Sequence, residues 1–274
     1  MTRIAKRILK LLVYTNIIIG LSAGLFSAGW THFHNIIEWK SYGVFSFFAA
    51  LTAYNLDKLW KIRWVEFPSE WLLWIQKNSK PYWTATMISG FISIYILLFV
   101  IEIKNLNGLI ILLITSLCAM SYSLPYKKLR LRSIPGIKAL IIAIVWMSIL
   151  GLFPLINEGI RSIYTFSSVL GMFIFYYAIT IPFDIRDSNK DDKALKTIPQ
   201  ALGIEKAKYF AISLLLFSYI FATFNYNTRI QILFFGIFII CGLLIFKTTI
   251  ASQWFHYALI DLCIAGLGLV LMFG

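Results

Sequence analysis

Charge is scarce in this chain. Of its 274 residues only 14% are Asp, Glu, Lys or Arg, against 59% hydrophobic, a balance that excludes an ordinary soluble domain. Carboxylates are scarcer still, with 12 Asp and Glu facing 25 Lys and Arg, which leaves a net charge of +13. There are three cysteines, Cys118, Cys241 and Cys263, and no C-x-x-C pair. That spacing excludes a disulfide framework and a thiolate metal site and leaves them as small packing residues. Polar low-complexity stretches long enough to form a linker or a second soluble domain are absent, so residues 1–274 read as one membrane domain. The apolar runs lack the period-two alternation of a membrane barrel, which leaves helices. No small-residue cleavage site closes the first apolar run, because residues 20–23 lead into more apolar sequence. It is read as a retained helix.

Nine apolar runs stand between the charged stretches, at about 11–30, 41–57, 83–103, 107–124, 137–156, 163–183, 207–224, 230–246 and 254–273. They predict an all-α, polytopic membrane protein of nine transmembrane helices. An odd number of spans puts the termini on opposite sides. With the N-terminus cytosolic, all but Lys40, Lys104, Arg161 and Arg229 of the 25 basic residues fall on the inner side. The expected placement is therefore an integral, multi-pass protein of a bacterial inner (cell) membrane, C-terminus outside. Inner loops facing anionic membrane lipids account for the positive charge without a nucleic-acid partner.

The three long inner loops, about 58–82, 125–136 and 184–206, are where polar residues gather and where function is to be sought. In the last of them, Asp184, Asp187 and Asp191 are spaced by three and four residues, which places them on one helical face if the helix continues. Converging carboxylates repel and call for a cation. Magnesium suits them, since it takes oxygen ligands and commonly joins carboxylates to substrate phosphates. A solvated acidic turn balanced by Arg186, Lys190 and Lys193 is the plainer alternative. Lys127, Lys128, Arg130 and Arg132 cluster beside Tyr122 and Tyr126, with either phosphate binding or simple membrane orientation as their role. Asp57 pairs with Lys58 or Lys61 at a helix end, or joins Asn55 at a site, although the two lie about 200° apart on a helix. Asp261, inside the last span, is expected to face the bundle interior. His32 and His34 read as surface histidines on the outer side.

Residues 184–203, DIRDSNKDDKALKTIPQALG, closely resemble the second aspartate-rich motif of the UbiA superfamily of intramembrane prenyltransferases, D-x-x-D-x-x-x-D followed by K-T-[IL]-P. The stretch from Tyr122, YSLPYKKLRLRSIPGIKAL, is similar to that family's loop of Tyr, Pro and basic residues. The family's first motif, N-D-x-x-D-x-x-x-D, is where the chain departs. Aligned on Asn55, its aspartate positions hold Leu56, Leu59 and Arg63, and Asp57 stands shifted in register.

The resemblance implies helices around a central cavity open to the cytosol, with a lateral path for lipidic substrates. It implies a Mg2+-dependent transfer of an isoprenyl group from a prenyl diphosphate to a lipophilic, aromatic acceptor. Asp184, Asp187 and Asp191 would be the catalytic, metal-holding residues, with Asn55 and Asp57 left from the first motif. Tyr122, Lys127, Lys128, Arg130, Arg186, Lys193 and Lys196 would hold the diphosphate. Two other readings stay open: a terpene cyclase of the same superfamily, which needs no acceptor, and a non-catalytic lipid-binding or transport protein.

Overall fold

A chain that is apolar over most of its length must close its backbone hydrogen bonds within each segment, and helices do so. The computed structural model describes residues 3–63, 68–123, 131, 134–189 and 191–274, and among these every apolar run is helical and no strand occurs. The helices are α1 Arg3–Tyr14, α2 Ile17–Phe33, α3 Trp39–Lys61, α4 Glu70–Lys77, α5 Ser79–Ile96, α6 Leu106–Ser123, α7 Lys138–Met147, α8 Phe153–Asn157, α9 Ile163–Asp187, α10 Ile198–Leu202, α11 Ile204–Thr223, α12 Thr228–Phe246 and α13 Trp254–Phe273. π-helical turns at Leu97–Ile101 and Ser148–Leu152 extend α5 and join α7 to α8. In the second of these turns the Gly151 carbonyl accepts a bond from the buried Trp30 indole N–H, at 3.3 Å.

Among the described residues, five segments are long and apolar enough to cross a membrane: Ser79–Ile101, Lys138–Asn157, Ile163–Asp187, Thr228–Phe246 and Trp254–Phe273. A sixth is added if Arg7–Tyr14 and Ile17–Phe33, bent by 70°, count as one span. This is fewer than the nine expected. α6 is short for a span, α3 carries Asn55, Asp57, Lys58 and Lys61 in its last turns, and α11 opens on Glu205, Lys206 and Lys208. These three helices nevertheless pack in the same ring, which runs α2, α3, α6, α7, α9, α11, α12, α13 and back to α2. Outward faces are apolar, with Phe91, Leu117, Phe217 and Ile232 all exposed. A bilayer supplies the partner those faces lack, and the protein is an integral, multi-pass membrane protein.

Small residues set the spacing of the ring. A Cβ on Gly29 would collide with the Gly268 backbone, and one on Gly171 with the Ala222 backbone, so α2 against α13 and α9 against α11 meet main chain to main chain. Inside, Phe26, Trp30, Phe153, Phe175, Tyr176 and Phe234 are fully buried and fill the bundle centre. The space they leave lies toward the end where α3 and α9 finish and α7 begins.

Candidate active site

That space is a cavity of about 260 Å³. Its polar mouth is made by the last turns of α3 (Tyr54, Asp57, Lys58, Lys61), the start of α7 (Lys138), the end of α9 (Asp184, Arg186, Asp187) and Tyr122 of α6. Deeper walls are apolar and aromatic, from Ile141, Val145 and Trp146 on α7, Tyr176 and Ile179 on α9, and Ile264 on α13. Trp146 stands eight residues into the helix from Lys138, and Tyr176 eight residues before Asp184, which puts both rings about 12 Å further in. Trp146 donates its indole N–H to the Tyr54 hydroxyl at 3.0 Å, locking the two rings across the wall.

Two ion clusters, the first of them buried, shape the α9 side. The Lys138 ammonium lies 2.8 Å from Asp184 Oδ1 and 2.6 Å from Asp191 Oδ2, with all three side chains at most 8% exposed. A buried triad of this kind brings little net stability when complete, and removing one member costs about 3–5 kcal/mol. Arg186 grips Asp187 through two bonds, Nε to Oδ1 at 2.8 Å and Nη2 to Oδ2 at 2.9 Å. Its guanidinium also lies 5.3 Å from the Phe183 ring and 4.8 Å from the Tyr257 ring, so it is held in place on both faces.

The loop after α9 explains the T-I-P-Q stretch that follows Lys196. Gln200, in the first turn of α10, accepts from the Thr197 amide at 3.0 Å and donates back to the Asp191 carbonyl at 3.2 Å. Asp191 is fixed at the same time by its own amide, which donates to the Asp187 carbonyl at 2.8 Å and so continues the helical pattern past the end of α9. The Gly136 amide donates to the Leu195 carbonyl at 2.8 Å and joins this loop to the one before α7.

On the α3 side, the helix is unbroken through Lys61, and its two faces part company. Asp57, Lys58 and Lys61 line the cavity, and Asp57 Oδ2 sits 2.6 Å from the Lys61 ammonium and 3.6 Å from that of Lys58. Both lysines are thus partners of Asp57. Asn55 turns the other way, where its side-chain oxygen accepts from Asn16 at 2.8 Å and from the Tyr82 hydroxyl at 2.6 Å. Leu59 follows it, buried against Ile75 and Tyr82, and Arg63 is exposed. The structure therefore gathers Asp184, Asp187, Asp57, Arg186 and Tyr122 around one cavity and holds Asp191 to it through Lys138. It leaves Asn55 outside the wall and Lys193 and Lys196 exposed on the loop. Lys127, Lys128 and Arg130, with Tyr126, Arg132 and Lys190, lie outside the described residues. Among the described residues, no three carboxylate, His or Cys side chains form a group able to hold a metal ion unaided.

Lys138 is the residue that sequence reasoning passed over. Its signal was a lone lysine at the first position of an otherwise apolar helix, where charge is costly unless paired. Asp261 does face the interior, as a member of the cavity wall near Arg186.

A scan of family models and a search of curated proteins find no match to the sequence. Solved structures do match. A UbiA homolog from Archaeoglobus fulgidus bound to GPP and Mg2+ superposes with a TM-score of 0.62 at 14% identity, over 95% of this chain and 98% of that one. This chain has the UbiA fold. The same homolog bound to DMAPP and Mg2+ gives a TM-score of 0.57 at 14% identity, over 97% and 98% of the two chains. A structure of digeranylgeranylglyceryl phosphate synthase gives 0.57 at 17% identity, over 98% of both. The likeness runs across nearly the whole length and covers the helical ring.

Proposed function

We propose that the protein is a membrane prenyltransferase that takes the isoprenyl group from a prenyl diphosphate and passes it to a lipophilic, aromatic acceptor, with Mg2+ as cofactor. One observation carries the reading. The cavity is a single space with an ionic mouth and an aromatic, aliphatic depth, which is the polarity of a prenyl diphosphate itself. The solved relatives with this fold, bound to GPP or DMAPP together with Mg2+, support it.

The donor set fits magnesium. That ion is usually held by one or two carboxylates together with substrate phosphates and water, and Asp184 and Asp187 stand in the wall of the mouth, with Asp191 one ammonium away. When bound it would neutralise charge on the leaving diphosphate. The chain's own residues do the rest. Arg186, immobilised on Asp187 and two rings, orients that carboxylate toward the mouth, and Lys138 and Tyr122 provide further donors to phosphate oxygens. Trp146, Tyr176 and Tyr54 present ring faces to the hydrocarbon, where developing positive charge at the allylic carbon is stabilised and water is kept out. Asp57 remains in this site, whereas Asn55 serves to tie α3 to α2 and α5. Nine crossings, an inner N-terminus and a bacterial inner membrane follow if α1–α2, α3, α6 and α11 also span, a reading supported by the one-sided distribution of basic residues.

The test is incubation of the purified protein with Mg2+ and labelled geranyl diphosphate, with and without a panel of phenolic and quinonoid acceptors. Label in an acceptor supports transfer. A cyclic hydrocarbon formed without acceptor replaces this reading by cyclisation, and intact diphosphate carried across a proteoliposome membrane replaces it by transport.

A further inference from the structure

We infer that Lys58 and Lys61 form a metal-independent phosphate subsite, so that this cavity holds a diphosphate between two lysines on α3 and the carboxylate wall of α9. The inference rests on the reading of the cavity as a prenyl diphosphate site and adds a division of labour within it.

The charge on the two walls is unequal. On α3, two ammonium groups meet one carboxylate, Asp57, at 2.6 and 3.6 Å. Across the mouth the described residues reverse that balance, with Asp184, Asp187 and Asp191 beside the single charges of Lys138 and Arg186. Both lysines belong to the cavity lining, with side chains 18% and 33% exposed, so their heads are neither free in bulk water nor sealed in the core. Lys58 is held there by the Trp71 ring, 4.6 Å from its ammonium, which restricts the flexible stem before any ligand arrives.

Each ammonium has three donors, and the one carboxylate they share cannot use them all. A phosphate group offers several acceptor oxygens and more negative charge than one carboxylate, and so completes both lysines together. The α9 wall, rich in carboxylates, repels that same phosphate unless a cation intervenes. A diphosphate lying across the mouth therefore has one phosphate on the lysines and the other on the side of Asp184 and Asp187. Lys58 and Lys61 are binding residues in this scheme, and no bond-breaking step is assigned to them.

The experiment is calorimetric titration of the purified, detergent-solubilised protein with inorganic pyrophosphate and with geranyl diphosphate, each in excess Mg2+ and in EDTA. Wild type is expected to bind pyrophosphate in EDTA. The double variant Lys58→Gln, Lys61→Gln should weaken that binding by about tenfold for each ammonium removed, the size of a charged hydrogen bond. Lys58→Arg with Lys61→Arg should keep most of it, which separates lost charge from lost folding. Asp57→Asn releases both lysines and should tighten metal-free binding, whereas a metal-ligand role for Asp57 would weaken binding in Mg2+. If geranyl diphosphate binds only with Mg2+ and the Gln variant binds it as wild type does, the lysine subsite is overturned and the prenyltransferase reading stands. Pyrophosphate binding in EDTA without any binding of geranyl diphosphate supports the subsite and removes the prenyltransferase reading. Absence of binding by both ligands in both conditions overturns both.

Discussion

Two of the bundle's polar clusters stand at opposite ends, and they are built on opposite plans. At the end away from the cavity, the Tyr42 hydroxyl donates to Glu158 at 2.8 Å and accepts from Asn157 at 2.9 Å. Asn157 in turn accepts from the Lys104 amide at 3.0 Å, and the Lys104 ammonium lies 2.8 Å from Glu158 and 3.4 Å from Glu38. Donors and acceptors are matched to one another, and the result ties α3 and α8 to the turn after α5. At the cavity end, each wall carries its own ion pairs, Asp57 with Lys58 and Lys61 on α3 and Asp184 and Asp187 with Lys138 and Arg186 on α9 and α7, and a cavity is left between the walls. The same residue types hold helices together when they close on each other, and present a site when the backbone keeps them apart.

The largest expected effect falls at the cavity end. Asp184→Asn with Asp187→Asn should lower Mg2+-dependent release of pyrophosphate from geranyl diphosphate by at least about a hundredfold, the usual order for losing preorganised charge at a reacting group. Turnover equal to wild type would remove these aspartates from the chemistry. Next comes Lys138→Met, which leaves Asp184 and Asp191 buried without their shared cation. A loss of about 3–5 kcal/mol is expected, read as a lower melting temperature, and added Mg2+ should raise that temperature more in the variant than in wild type. An equal response in both proteins would show that the ion does not approach these carboxylates. At the opposite end, Tyr42→Phe should cost about 1–3 kcal/mol through the bonds it leaves unmade and leave diphosphate affinity unchanged. A change in affinity would mean the two ends are coupled.

The smallest effect concerns His34, also away from the cavity, whose burial against Trp30 and Phe33 lowers its pKa from 6.5 to about 4. The unfolded chain takes up this proton near pH 6.5 and the folded chain only near pH 4, so stability should decline as pH falls through that window. His34→Gln should flatten this part of the melting temperature against pH. An unchanged slope would place the imidazole in contact with water.

The helical ring was legible because apolar runs of this length have few alternatives. The crossing count was less so. Whether α3 or α11 spans depends on how neighbours shelter Asp57, Lys58 or Lys208, and that is a tertiary property. The D-x-x-D-x-x-x-D spacing singled out residues that do meet at the cavity wall, since Asp184 and Asp187 are one turn apart and the Asp191 amide bonds to the Asp187 carbonyl. The partner that gathers them was hidden, because Lys138 lies 46 residues before Asp184 and only the packing of α7 on α9 brings the two together. Asn55 misled for a related reason. Spacing alone leaves open which face of α3 looks inward, and the bonds to Asn16 and Tyr82 decide it.

His34 was read as an ordinary surface histidine, and the rings around it correct that. A lone polar residue just beyond a helix end carries no sign in sequence of what folds over it.

The glycine contacts of the ring give its flexibility a direction. Where α2 meets α13 and α9 meets α11 the backbones already touch, so those seams have no side chains whose rotation would let them part. α6 is different. It touches α3 lightly and contributes only Ala119 and Tyr122 to the cavity wall. A hydrocarbon chain seated in the cavity would therefore lie against a wall joined less tightly between α3 and α6 than at those glycine seams.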